Sequence, residues 1–190
     1  MISLFKKQKY EILQKAILGI LIILLISCSN NVGLETQTSP QNQIDQLQLV
    51  TLDTQKVVMG QTVYVPVYSH IYHFDQQNNP INLSATLSIR NTDMTHSIII
   101  TTVRYYDTKG QLIREFIRNP VELKPLASTD VFIQTNDTTG GLGANFIVEW
   151  VALQTVYEPV IEAVMISTAS SQGISFISPG RVLKQYRQPN

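Results

Sequence analysis

The stretch Asn82-Leu-Ser-Ala-Thr-Leu-Ser-Ile-Arg-Asn-Thr-Asp-Met-Thr-His-Ser-Ile-Ile-Ile-Thr-Thr-Val-Arg-Tyr-Tyr-Asp-Thr108 reads as two β-strands joined by a polar turn. Leu83, Ala85, Leu87 and Ile89 alternate with Ser84, Thr86, Ser88 and Arg90. A period of two puts one face of a strand in a core and the other in water. Asn91-Thr92-Asp93 then breaks the run with side chains short enough to hydrogen-bond the nearby backbone. Ile98, Ile99 and Ile100 open a second strand that is apolar on both faces, as expected of one lying centrally in a two-layer core.

On either side of this pair, short apolar segments follow one another quickly. Residues 57–59, 63–73, 83–91, 97–106, 112–117, 131–134, 145–152, 161–168 and 173–177 all read as strands. Turn signals separate them, among them Asn79-Pro80, Asp107 to Gly110, Asn119-Pro120, Lys124-Pro125, Thr139-Gly140-Gly141, Glu158-Pro159 and Pro179-Gly180. No segment past the first 28 residues sustains the 3.6-residue apolar period of a helix. The pattern predicts an all-β fold, an antiparallel β-sandwich of about seven to nine strands over residues 49–185, with a short tail at 186–190. The order Arg90 to Asp93, Tyr105 to Gly110, then Leu123 to Ser128 resembles small immunoglobulin-like domains of bacterial surfaces. That analogy concerns fold and not activity.

Residues 1–27 read as a signal peptide. Lys6, Lys7, Lys9 and Lys15 precede an apolar run from Ala16 to Ile26. The run is shorter than the roughly 20 residues a membrane span needs, and it suits the 7 to 15 or so of a signal-peptide core. It ends in Leu25-Ile26-Ser27-Cys28, which resembles the processing signal of bacterial lipoproteins, in which the cysteine is lipidated and becomes the new N-terminus. An uncleaved anchor or an ordinary secretory signal are the alternatives, and each still places the domain outside the cytoplasm. Two or more acyl chains on Cys28 would hold the protein to the inner or outer membrane, since each buried methylene contributes about 0.8 kcal/mol. Cys28 is the only cysteine, so no disulfide within the chain is expected. Residues 28–48 are rich in Ser, Asn, Gln and Thr and read as a flexible tether.

The chain has 14 basic and 14 acidic residues; without the leader's four lysines and one glutamate, 10 basic and 13 acidic remain. Such a weakly acidic domain, with no basic stripe, excludes a nucleic-acid footprint. No cofactor motif is visible, and the serines and threonines form no nucleophile elbow, so no catalytic residue is assigned and an enzyme, a hydrolase at most, is disfavoured.

His70 and His73, with Tyr72 between them, invite a metal reading that strand geometry opposes, because residues three apart point to opposite faces. No metal site is assigned. Gly140 to Asn145 lead into a strand and not a helix, so their glycines read as turn positions; exposed amides there remain an anion-binding option. His70, Tyr72, His73, Gly141, Gly143 and Asn145 are therefore the candidate ligand or partner contacts. Glu149 lies among Phe146, Ile147, Val148, Trp150 and Val151 and needs a cationic partner if buried, with Arg104 the first choice beside Arg90 and Arg118. Whether the tyrosines are core or interface is left open.

The segments Val63 to Tyr72, Leu87 to Asp93, Val103 to Asp107, Gly143 to Trp150, Glu162 to Ile166 and Gln172 to Arg181 resemble the bacterial family known only as domain of unknown function 3124, over about Gly60 to Leu183. The resemblance implies an exported or lipid-anchored compact domain and implies no activity. The expected function is a non-catalytic binding or assembly module of the cell envelope with a protein partner or envelope component. A small-ligand or carbohydrate-binding lipoprotein is the alternative.

Overall fold

The computed structural model describes residues 43–73, 76–169 and 173–188. Thirteen strands run as β1 (Gln48–Leu49), β2 (Met59–Pro66), β3 (His70–His73), β4 (Gln76–Asn82), β5 (Ser84–Arg90), β6 (Ile98–Tyr106), β7 (Leu112–Ile117), β8 (Val121–Leu123), β9 (Ser128–Ile133), β10 (Asn145–Ala152), β11 (Val160–Ser167), β12 (Ile174–Pro179) and β13 (Arg181–Arg187). Two short 3-10 turns, Gln43–Gln46 and Thr54–Lys56, are the only helical pieces among the described residues.

The strands form a seven-stranded sheet, ordered β1-β8-β6-β10-β2-β13 with β7 also on β6, and a four-stranded sheet, ordered β12-β11-β5-β9. All pairings are antiparallel. The alternation read in β5 sends Ala85, Leu87 and Ile89 into the space between the sheets. There they join Val63, Val65, Val103, Phe146, Val148, Trp150, Ala163 and Met165 in one core. Ile98, Ile99 and Ile100 are all buried, as a strand covered on both faces requires. Fold class is therefore as expected, with more strands than about seven to nine.

The extra strands have identifiable causes. Residues 63–73 are not one strand, because Val67 N–H donates to the carbonyl of Ala144 and Ser69 N–H to that of Gly141, turning the chain out of the large sheet. It then makes the separate β3–β4 hairpin. The packed domain also passes both expected boundaries. Ile44, placed in the tether, is buried in the core, and residues 186 and 187, placed in the tail, pair with β2. Leu25, Ile26, Ser27 and Cys28, with the whole leader, lie outside the described residues.

One residue, Gly180, carries the chain from the small sheet to the large one. Its N–H donates to the Ile161 carbonyl at 2.8 Å, and a Cβ there would meet that same oxygen at 2.6 Å. Nothing larger than glycine fits this passage without moving backbone.

Candidate functional site

At the end of the sandwich where β2 stops and β10 starts, the structure brings together two stretches singled out in the sequence. Ser69, next to His70, bonds through both N–H and Oγ to the carbonyl of Gly141, at 3.1 and 3.2 Å. The Ser69 hydroxyl also lies 3.1 Å from Nδ1 of His70, whose ring leans on Tyr72 at a centroid distance of 5.8 Å. His73 sits beyond a register irregularity, opposite Gln76. Among the described residues, no group of three or more His, Cys, Asp or Glu side chains gathers as a metal site would require.

Two amides of the glycine loop, offered as an anion-binding option, are spent on hydrogen bonds within the fold. Gly143 N–H donates to Thr108 Oγ1 at 2.9 Å, and Gly141 N–H to the Thr138 carbonyl at 3.2 Å. Thr108 in turn donates from both N–H and Oγ1 to the Gly140 carbonyl, at 3.0 Å each. These amides already hold the loop closed and have no hydrogen left for an anion. Gly141 has φ +74°, the left-handed region that glycine enters freely. Gly140 has a packing reason: a Cβ would fall 1.9 Å from the hydroxyl oxygen of Tyr105. Tyr105 is the tyrosine of the core, stacked on Phe146 at 4.9 Å, and its hydroxyl is pushed up to about 12, chiefly by burial, with Asp137 adding and Arg114 opposing. Asn145 begins β10 opposite Pro66 and Tyr106.

Arg104 and Glu149 meet, Nη2 to Oε2, at 3.1 Å. The pair is not buried, which corrects the expected setting: the side chains keep 31% and 35% of their exposure on the outer face of the large sheet. Strict alternation explains it, since Phe146, Val148 and Trp150 take the core side and Glu149 the other. Arg104 also approaches Glu115 at 3.5 Å, and Glu115 approaches Arg118, so charge alternates along this face. The Arg104 guanidinium is held above its ordinary value, first by a hydrogen bond with Tyr106 and then by Glu149 and Glu115, against the pull of desolvation. Beside Glu149 lies an open groove of about 650 Å³ whose walls include Leu52, Val57, Tyr186 and Lys184.

The opposite end holds what the sequence reading passed over. Asn91 and Asp93, expected to bond only the nearby backbone, are buried and tie three loops together. Asn91 Nδ2 donates to the carbonyls of His96, Leu123 and Lys124, at 2.8, 3.1 and 3.0 Å. Asp93 Oδ1 accepts from the N–H groups of Thr95 and His96 and from the Thr95 hydroxyl, while Oδ2 accepts from Tyr157 N–H at 3.1 Å. The Asp93 carbonyl accepts from Leu126 N–H at 3.1 Å. These donors, Thr95 and His96 first and then Tyr157, hold the carboxyl well below the usual carboxylate range despite its burial. Leu126 sits at φ +57°, a left-handed conformation that costs a bulky residue roughly 1–2 kcal/mol. Met94, Leu126 and Tyr157, whose backbones converge on Asp93, are 71%, 66% and 72% exposed. A hollow of about 470 Å³, lined by Val50, His96, Ile99, Glu122 and Leu153, flanks them. In the sequence, the only sign of this trio is three apolar residues lying inside turn signals.

The molecule is thus an all-β sandwich whose polar loops are held internally at both ends, with Met94, Leu126 and Tyr157 strongly exposed at one of them. A family model described as "Protein of unknown function (DUF3124)" matches residues 60–183, and the chain belongs to that family. No curated protein matches the chain. Among solved structures, the crystal structure of Thermotoga maritima 1070 overlaps 64% of this chain and 92% of its own, at 12% identity and a TM-score of 0.38. That likeness is too loose to carry an argument.

Proposed function

We propose that this protein is a lipid-anchored envelope lipoprotein whose sandwich acts as a non-catalytic binding or assembly module for a protein partner. The anchor reading rests on Leu25-Ile26-Ser27-Cys28, with Cys28 as the acylated residue and the membrane as the first partner. Among the described residues no helix is long and apolar enough to cross a membrane.

The observation that carries the binding reading is the trio Met94, Leu126 and Tyr157. Exposed apolar surface of this kind, clustered and rimmed by polar groups, marks interaction sites, and Tyr and Met are enriched in interfaces. The trio is preorganised, because Asn91 and Asp93 fix all three loops before any partner arrives, which lowers the ordering cost of binding. The charged residues beside it are mixed in sign: Lys124, whose carbonyl accepts from Asn91, Glu158, whose carbonyl accepts from Thr92, and Glu122, which lines the flanking hollow. A lipid surface rich in anionic headgroups would favour a cationic rim; a mixed rim suits a protein.

The test is native mass spectrometry of the full-length protein, mildly cross-linked in its own membranes and gently extracted. A protein partner retained by wild type and lost from Met94→Ser/Tyr157→Ser is the expected result. A lone chain, or a partner indifferent to the double change, overturns the reading, as does binding of the trio to protein-free phosphatidylglycerol vesicles. Labelled palmitate incorporated by wild type and not by Cys28→Ser tests the anchor separately.

A further inference from the structure

The outer face of the large sheet can be read row by row from its register. Tyr186 lies opposite Gly60, and Gly60 opposite Val151; in the next row Lys184 lies opposite Thr62, and Thr62 opposite Glu149. Directly opposed residues share a face. Gly60 is therefore a notch, with the tyrosine on one side and the valine on the other, and the polar pair Lys184 and Glu149 one row away. The notch is obligatory, since a Cβ at Gly60 would lie 2.6 Å from the Trp150 carbonyl oxygen. These residues line the groove of about 650 Å³, within the usual 300–1,000 Å³ of small-molecule sites.

Two β-bulges fall at this same level. On one side, Glu149 pairs with Thr102 and Trp150 with Ile100, so Thr101 is the inserted residue; its hydroxyl donates to the Glu149 carbonyl at 3.1 Å. On the other side, Val182 pairs with Val63 and Lys184 with Thr62, so Leu183 is inserted. Bulges on both flanks of one strand pair bend the face locally and re-aim side chains, a device concentrated next to functional sites. Glu149 keeps capacity as well: Thr102 and Arg104 both bind Oε2, at 2.8 and 3.1 Å. No hydrogen bond reaches Oε1 among the described residues.

We propose that this groove is a saccharide-binding site. A sugar ring has apolar C–H faces and a rim of hydroxyls that both donate and accept. Tyr186 and Val151 supply apolar surface for the face, Glu149 Oε1 accepts from hydroxyls, and Lys184 donates to them. With Thr62 between Lys184 and Glu149, and Arg104 already paired with Glu149, charges of both signs border the groove and favour a neutral ligand over a charged one, because either charge on the ligand would face a like charge in the site. The groove is open along the sheet, so the ligand is a segment of a longer glycan, bound non-covalently and unchanged.

This site is separate from the loop trio, and the two readings fail independently. The test is isothermal titration of the detergent-solubilised full-length protein with two probes, a tetrasaccharide of β-linked N-acetylglucosamine and maltotetraose. At least one is expected to bind, with affinity falling tenfold or more in Tyr186→Ala and in Glu149→Ala, and with Met94→Ser/Tyr157→Ser leaving it unchanged. Tyr186 is half exposed on an edge strand, so its loss leaves the fold intact, which circular dichroism checks. No binding of either probe at millimolar concentration overturns the proposal. So does binding that ignores the Tyr186 and Glu149 changes.

Discussion

At the end of the sandwich that carries Gly140 to Gly143, the hydrogen bonds of Ser69 and Thr108 close a loop whose exposed residues are Gln134, Thr135, Asn136, Thr138, Thr139 and Gly143. At the end that carries Asn91 and Asp93, an equally dense set of bonds leaves Met94, Leu126 and Tyr157 in water. Both ends are rigid by the same means, side chains bonding to backbone, yet the most exposed apolar side chains of the two are at the second, since Tyr72 and Leu112 at the first are 46% and 51% exposed. On the binding-module reading, the bonds of the glycine loop serve to hold the fold, while a turn of ordinary Asn and Asp frames the interface. The contrast also separates the cost of holding a loop from the purpose of holding it: Leu126 keeps a left-handed backbone that a glycine would take without strain.

The sharpest way to break the contrast is to remove Asn91. Asn91→Ala strands the carbonyls of His96, Leu123 and Lys124 and is expected to cost about 3 kcal/mol in chemical denaturation, with partner capture lost as the loops separate. At the other end, Gly140→Ala drives a methyl into the Tyr105 hydroxyl and should cost about 2 kcal/mol without touching capture. If Gly140→Ala also abolished capture while remaining folded, the functional division between the ends would fail.

The difference in acid unfolding between wild type and Asp93→Asn isolates the Asp93 knot. Its carboxyl is depressed in the folded state, so its stabilisation is fully present above the unfolded value near 4 and is lost as pH falls through the lower folded value. Wild type should lose melting temperature from about pH 5 downwards, while Asp93→Asn starts lower at neutral pH and shows a flatter slope over that window. Equal slopes would mean that His96 and the facing N–H groups do not favour the ionised form.

Leu126→Gly should move the two properties in opposite directions. Relief of the left-handed strain, less the entropy glycine adds to the unfolded chain, leaves a gain of about 0.5 kcal/mol, while capture weakens with the lost side chain. Smallest of all is the Arg104–Glu149 pair. A double-mutant cycle should return about 0.3 kcal/mol, shrinking with added salt, because both groups are partly solvated.

Much of the fold was legible because its signal is local. The alternation in β5, the triple isoleucine of β6 and the apolar run of β10 each report burial directly. Strands that took their structure from neighbours were not. β4 is Gln-Gln-Asn-Asn-Pro-Ile-Asn, which no propensity favours, and it exists because β3 folds back on it. β13 has no buried residue, and it is held by its ladder with β2 and a hydrogen bond from Gln185 to Glu158. The site was less legible still. Asn91 and Asp93 announce a turn, but the Leu123, Lys124 and Tyr157 backbones they bind lie more than 30 residues away, and no period encodes that. The partner of Glu149 was readable, because Arg104 is one of few cations on a neighbouring strand; its exposure followed from alternation. The notch at Gly60 needed the register of three strands at once.

The order of strands in the large sheet also sets a schedule. β2 is made early, but its two neighbours are β10 and β13, which follow about 80 and 115 residues later. Contacts this distant in sequence close slowly. A chain emerging N-terminus first therefore holds β2 without either flank until about three-quarters of the domain has been delivered, and the wall of the groove formed by Lys184 and Tyr186 arrives with the final pairing. On the export reading, the topology itself keeps the polypeptide threadable during passage, and the proposed groove is complete only in a molecule whose last strand has crossed.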